Sequence, residues 1–122
     1  MADTPQQVKK QLRADILDLQ RRLEELLVTY KEIQEASLEE KDRLNIVINE
    51  ELKLMDRDIT DLDEKGSLLS KKVQILTGQI IFSFEEFSHA ITETPNSVEE
   101  LMKNLYKLLE NLLSEIQEET YL

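Results

Sequence analysis

From Leu12 onward, apolar residues return at steps of four and three: Leu12, Ile16, Leu19, Leu23, Leu26, Tyr30 and Ile33. On an α-helix that spacing lines a single face, with Ile16, Leu23 and Tyr30 at the a positions of a heptad. The pattern predicts a helix with a heptad seam over 8–35, a narrow stripe that must be covered by other helices. Leu17 and Leu27 widen the stripe, which points to more than one neighbour. The flanking e and g positions, Arg13, Asp15, Gln20, Arg22, Leu27 and Thr29, show no clear pairing of opposite charges. A dedicated parallel homodimer zipper is therefore disfavoured.

Little in the chain interrupts helix. Only two glycines and two prolines occur in 122 residues, and Pro5 lies near the amino end. All-β folds need many turns, and the residues that make them are missing. At 40% hydrophobic content the chain has enough apolar surface for a packed structure of one domain's size.

The seam fades over QEASLEEKDR, where Ala36 and Leu38 are the only apolar residues. Ser37-Leu-Glu-Glu40 matches a capping box, the pattern that starts a helix, and so marks a candidate turn. Against a turn, the original phase returns at Leu44 and Val47 with no Gly or Pro between, which favours a continuous helix. From Leu44 the stripe steps by four to Ile48 and Leu52, a stutter, before Met55, Ile59 and Leu62. This acidic helix over 38–64 belongs to the most acidic stretch, with ten Asp or Glu against five Lys or Arg between 36 and 66. Asp56, Asp58, Asp61 and Asp63 have the composition of a calcium loop but lack its bend glycine and terminal glutamate. They read as a solvated helix face.

Gly66 is the second candidate corner, because glycine takes the left-handed conformation that ends many helices. Lys65 suits a last turn, and Ser67 can cap the next helix. Opposing this, Lys71 and Lys72 would lie near a helix amino terminus. The heptad phase also passes through Gly66 unslipped, from Ile59 and Leu62 to Leu69, Val73, Leu76 and Ile80.

Residues 67–93 differ in composition. They carry twelve apolar side chains among twenty-seven, including all three phenylalanines, Phe82, Phe84 and Phe87. Leu69, Val73, Leu76, Ile80, Phe87 and Ile91 form one stripe, and Leu68, Ile75 and Phe82 form another at seven-residue spacing. A helix that is apolar on more than one side needs cover on more than one side. It is expected to be a packing hub between several helices, of this chain or of a partner. Pro95 then ends that helix, and Ser97-Val-Glu-Glu100 is a second capping box opening a final helix over 97–120.

The reading is thus all-α: a single helical unit over 1–122, an antiparallel helical bundle or coiled coil of long helices. A corner lies near Pro95, with further corners near Ser37 and Gly66 left open. If both turn, four helices form an up-down bundle. If neither turns, the first three segments make a rod of ~130 Å.

Functional classes narrow by exclusion. A net charge of −11 opposes binding to phosphate backbones or acidic membrane surfaces. No cysteine is present, so thiolate metal sites and disulfides are absent. MADTPQQVKKQL has no apolar signal core, and the run Ile80-Ile81-Phe82 is far short of the ~20 residues that span a bilayer. A soluble, intracellular protein is expected. Glu86-Phe-Ser-His89 resembles half of a di-iron carboxylate unit, yet the chain holds one histidine, so one subunit cannot complete such a site. Ser88 and His89 project from different helical faces, and no glycine-rich phosphate loop occurs. No cofactor and no catalysis are expected.

The expected function is that of a non-catalytic assembly subunit or adaptor, a homo-oligomer or part of a larger complex, that binds partner helices. Its candidate contacts are Leu12, Ile16, Leu19, Leu23, Leu26, Tyr30 and Ile33, with Leu69, Val73, Leu76, Ile80, Phe82, Phe84 and Phe87. The alternative is a compact acidic four-helix module that captures a basic or amphipathic segment.

Overall fold

The structure, a computed structural model, describes residues 4–93 and 97–119, which form four helices and no strand. Helix α1 spans Pro5–Glu35, α2 Leu38–Gly66, α3 Lys71–Glu93 and α4 Val98–Glu119. Each helix packs against its neighbours in the chain, and α4 closes back onto α1. The diagonal pairs, α1 with α3 and α2 with α4, have no Cα atoms within 8 Å of each other among the described residues. Lys65, at the end of α2, reaches Asp15 near the start of α1, so the first hairpin is antiparallel. This is the up-down bundle, not the rod.

The first helix begins before its apolar stripe does. Thr4 is its N-cap: the Gln7 amide donates to Thr4 Oγ1 at 3.2 Å, and the Thr4 amide donates to Gln7 Oε1 at 3.0 Å. Pro5 sits in the first turn, where a missing N–H costs nothing. This reciprocal cap corresponds to the capping-box pattern Thr4-Pro-Gln-Gln7 in the sequence.

The continuous helix expected across Ser37 does not form. Ala36 and Ser37 are both extended, with ψ of 158° and 165°, and the Glu40 amide donates to Ser37 Oγ at 3.4 Å. The phase that argued for continuity also fails: Val47 is exposed and Leu44 half-buried. The buried face of α2 runs instead through Ile48, Leu52, Met55, Ile59, Leu62 and Gly66.

The second corner turns too, by a different device from the one expected. Gly66 does not take a positive φ and is the last helical residue of α2. Ser67 does not cap α3; its hydroxyl donates back to the Glu64 carbonyl at 2.6 Å. Ser70 holds the start of α3, accepting the Val73 amide on Oγ at 3.4 Å and the Gln74 amide on its carbonyl at 3.1 Å. That moves the helix start to Lys71, past the 67 boundary. The corner placed near Pro95 lies outside the described residues, but α3 ends at Glu93, α4 starts at Val98, and the two pack together.

A single core runs the length of the bundle. Leu12, Ile16, Leu19 and Leu23 from α1 meet Met55, Ile59 and Leu62 from α2, all fully buried, and α3 and α4 add Ile80, Phe87, Leu105 and Leu109. Phe84 and Phe87 lie with ring centroids 6.4 Å apart and planes tilted by 54°, a favourable aromatic geometry.

Charged groups lock α1 to α2. Arg22, only 14% exposed, donates from Nε to Glu51 Oε1 at 2.8 Å and from Nη1 to Asp58 Oδ2. Lys65 lies 2.8 Å from Asp15 Oδ2 and 2.9 Å from Asp61 Oδ2. Two of the flanking charges of the first seam, Asp15 and Arg22, therefore do find opposite partners, but in α2. The supposed solvated aspartate face is likewise employed: Asp58 and Asp61 hold these cations, and Asp63 accepts from the Thr77 hydroxyl at 2.8 Å.

Candidate interaction surface

The stripes expected to bind partners are mostly spent inside the chain. Leu12, Ile16, Leu19, Leu23, Leu26 and Tyr30 are buried in the bundle's own core, and Ile33 packs against it half-buried. In the hub segment Val73, Ile80, Phe84 and Phe87 are buried, while Leu69 and Leu76 are half-buried against them. Among the fourteen candidates only Phe82 stands exposed, at 64%. The expectation that one small chain could not cover these stripes is corrected: both weak corners turn, and α2 and α4 pack against α1 and α3 alike and supply the cover.

Single apolar side chains such as Val28, Leu38, Ile46 and Leu54 stay exposed on α1 and α2, and on α3 and the turn before it the second stripe remains uncovered. Leu68 is 67% exposed, Ile75 56% and Phe82 64%, and Ile75 and Phe82 lie on the side of α3 opposite its buried Val73, Ile80 and Phe87. Seven-residue spacing, out of phase with the core stripe, was the signal that separated these residues in the sequence. Between them lies Gly78, whose Cβ position has no atom within 4 Å. The outer surface of α3 is therefore a pair of apolar projections with a flat notch between.

The electrostatics of this surface differ from the rest of the molecule. From Val73 to Phe84 no residue is charged, although the chain as a whole carries −11. Lys71 and Lys72 bound the window on one side, Glu85 and Glu86 on the other. Removing charge from a face of an otherwise acidic protein lowers the repulsion an incoming surface must overcome.

Two shallow grooves flank the stripe. One of about 620 Å³ runs between α2 and α3 and is lined by Asn49, Leu52, Asp56, Phe84, Ser88 and His89, among others. The other, of about 370 Å³, runs between α3 and α4 beside Ile75, Gln79, Asn111 and Ser114. His89 is exposed and pairs through Nε2 with Glu93 at 2.9 Å. No three His, Asp or Glu side chains converge in a metal-binding arrangement among the described residues.

The Tyr106 hydroxyl donates to Glu24 Oε1 at 3.3 Å, linking α4 to α1. Burial against the bundle and the neighbouring Glu24 carboxylate hold its pKa above the usual phenol value. This is a structural contact between helices, away from the apolar stripe.

No helix among the described residues is long and apolar enough to cross a membrane. No protein-family model, curated protein or solved structure matches the chain.

Proposed function

We propose that this chain is a non-catalytic interaction protein, an acidic four-helix bundle that binds protein segments through the outer face of α3. One observation carries the reading: Ile75 and Phe82 stay exposed on a charge-free window of α3, with Leu68 exposed just before it, while the heptad stripes close the core. Exposed aromatic and aliphatic projections in register, beside grooves, are the features of a protein-binding patch. The heptad stripes thus serve the scaffold, and the interaction role passes to the stripe out of phase with them. The acidic balance and the lack of cysteine accord with work inside the cell on protein partners, not on nucleic acid.

A photo-crosslinking residue placed at Phe82, and separately at the exposed Glu110 of α4, tests this in cell extract. Adducts are expected from position 82 and not from 110. Equal yields at both positions, or none at 82, would end the proposal.

A further inference from the structure

We infer that the partner seated on the outer face of α3 is a second copy of this chain, docked antiparallel about a two-fold axis between Gly78 and Gln79. The inference rests on the reading of that face as a binding surface and adds the identity of its occupant.

The argument is one of self-complementarity. A two-fold axis perpendicular to α3 at its 78–79 step sets each residue opposite the one equally far on the other side. Lys71 then faces Glu86 and Lys72 faces Glu85, while Ile75 faces Phe82 and Gly78 faces Gln79. Both ends of the interface pair opposite charges, and both repeat by symmetry. The middle contains only the uncharged window, about 18 Å long at the rise of an α-helix. Within the bundle Lys72 lies 3.8 Å from Glu115, but Lys71, Glu85 and Glu86 are exposed and Ile75 and Phe82 take no part in the core, so most of this pattern is not required by the bundle.

Parallel docking of two α3 helices sets lysine on lysine and glutamate on glutamate. The same charges that favour the antiparallel pair therefore disfavour the parallel one. Gly78 allows the helices to approach closely, because nothing occupies the space where its Cβ would be. The groove between α3 and α4, lined by Ile75, Leu76, Gln79, Asn111 and Ser114 together with the Lys72–Glu115 pair, takes Phe82 of the second copy. A single pair of helices buries a modest area, so the dimer forms reversibly, with a dissociation constant of about 1–100 µM.

Sedimentation equilibrium of the full chain from about 1 to 500 µM reads the mass directly. Wild type is expected to shift from monomer to dimer, and Phe82→Glu to raise the dissociation constant by about thirtyfold or more with an unchanged helical circular dichroism spectrum. Two charge variants give the sharper test. Lys71→Glu/Lys72→Glu and Glu85→Lys/Glu86→Lys should each self-associate weakly, and should form a mixed dimer when combined. Because the chain has no cysteine, Gln79→Cys should oxidise to a covalent dimer, while Val28→Cys on the outside of α1 should not.

A monomer at every concentration overturns the inference, as does a dimer indifferent to Phe82→Glu or a mixture of charge variants that stays unpaired. These outcomes are separate from failure of the binding surface itself. Crosslinks from position 82 to other proteins, with a monomeric chain, leave that surface standing and remove only its identification with a second copy.

Discussion

A Cβ on Gly66 would sit 2.8 Å from Thr77 Cγ2, so the Thr77 side chain fills the space that a side chain at position 66 would need where α2 meets α3. Thr77 cannot step aside cheaply. It is buried, β-branched, and its hydroxyl lies 2.8 Å from Asp63 Oδ1 and 2.9 Å from the Gln74 carbonyl. Replacing a helical glycine by alanine ordinarily adds about 1 kcal/mol of stability. Here overpacking should win, and Gly66→Ala should lower stability by about 1–3 kcal/mol in urea denaturation. Thr77→Ser deletes the offending methyl and keeps the hydroxyl. The double variant should recover most of the loss, with a coupling energy clearly different from zero.

Arg22 is the most enclosed cation of the α1–α2 seam. Its partners Glu51 and Asp58 keep part of their surface in water, so losing Arg22 does not strand a fully buried charge. The effect of Arg22→Met should lie between the ~0.5 kcal/mol of an exposed pair and the ~3–5 kcal/mol of a buried one, at about 1–2 kcal/mol. Arg21, which is exposed and pairs within its own helix, serves as the control. If Arg21→Met costs as much as Arg22→Met, the interhelix lock has no special role.

Gln20 is a buried amide whose Nε2 finds no hydrogen-bond partner. An unsatisfied donor of this kind costs about 1–3 kcal/mol relative to an apolar group of similar shape. Gln20→Leu should therefore raise the thermal midpoint, corresponding to a gain of about 1 kcal/mol. A lower midpoint would mean that the amide is doing something the leucine cannot.

Alkaline pH should weaken the bundle through Lys65 and Tyr106. Burial pulls the Lys65 ammonium down, but hydrogen bonds and charge from Asp15 and Asp61 outweigh it and raise its pKa above the ordinary 10.5. Tyr106 is likewise raised above the ordinary 10.0. For groups raised on folding, the stabilisation is complete below the unfolded pKa and disappears as pH climbs through the folded one. Urea midpoints should thus carry the Tyr106 contribution in full up to about pH 10 and the Lys65 contribution up to about 10.5, both declining above. Lys65→Met and Tyr106→Phe should each flatten that decline, and an unaltered profile in both would refute the assignment.

The sequence made the buried face of α1 legible at once, because seven consecutive stripe positions from Leu12 to Ile33 follow one helical phase. The corners were harder for a physical reason. Ser37 turns through two extended residues that carry no glycine or proline signal, and the phase at Leu44 and Val47 continued by coincidence. At Gly66 the residue type was informative but its cause was not: close approach to Thr77, invisible along the chain, requires the glycine. The charge lock of Arg22 to Glu51 and Asp58 joins residues some thirty positions apart, which only the turned corner brings together. For the candidate surface, the spacing of Leu68, Ile75 and Phe82 was visible. That they face outward depended on which stripe the other helices chose to cover.

The closure of α4 onto α1 makes the bundle a ring in which every helix has two neighbours. Chain order then matters less than adjacency. The start of α1 and the end of α4 lie at the same end of the molecule, as do the Lys65–Asp15 and Lys72–Glu115 contacts. Cutting the chain at the exposed Ser37 turn and joining its first and last helices would preserve all four helix pairs, so the fold is in principle indifferent to where along its circuit synthesis begins.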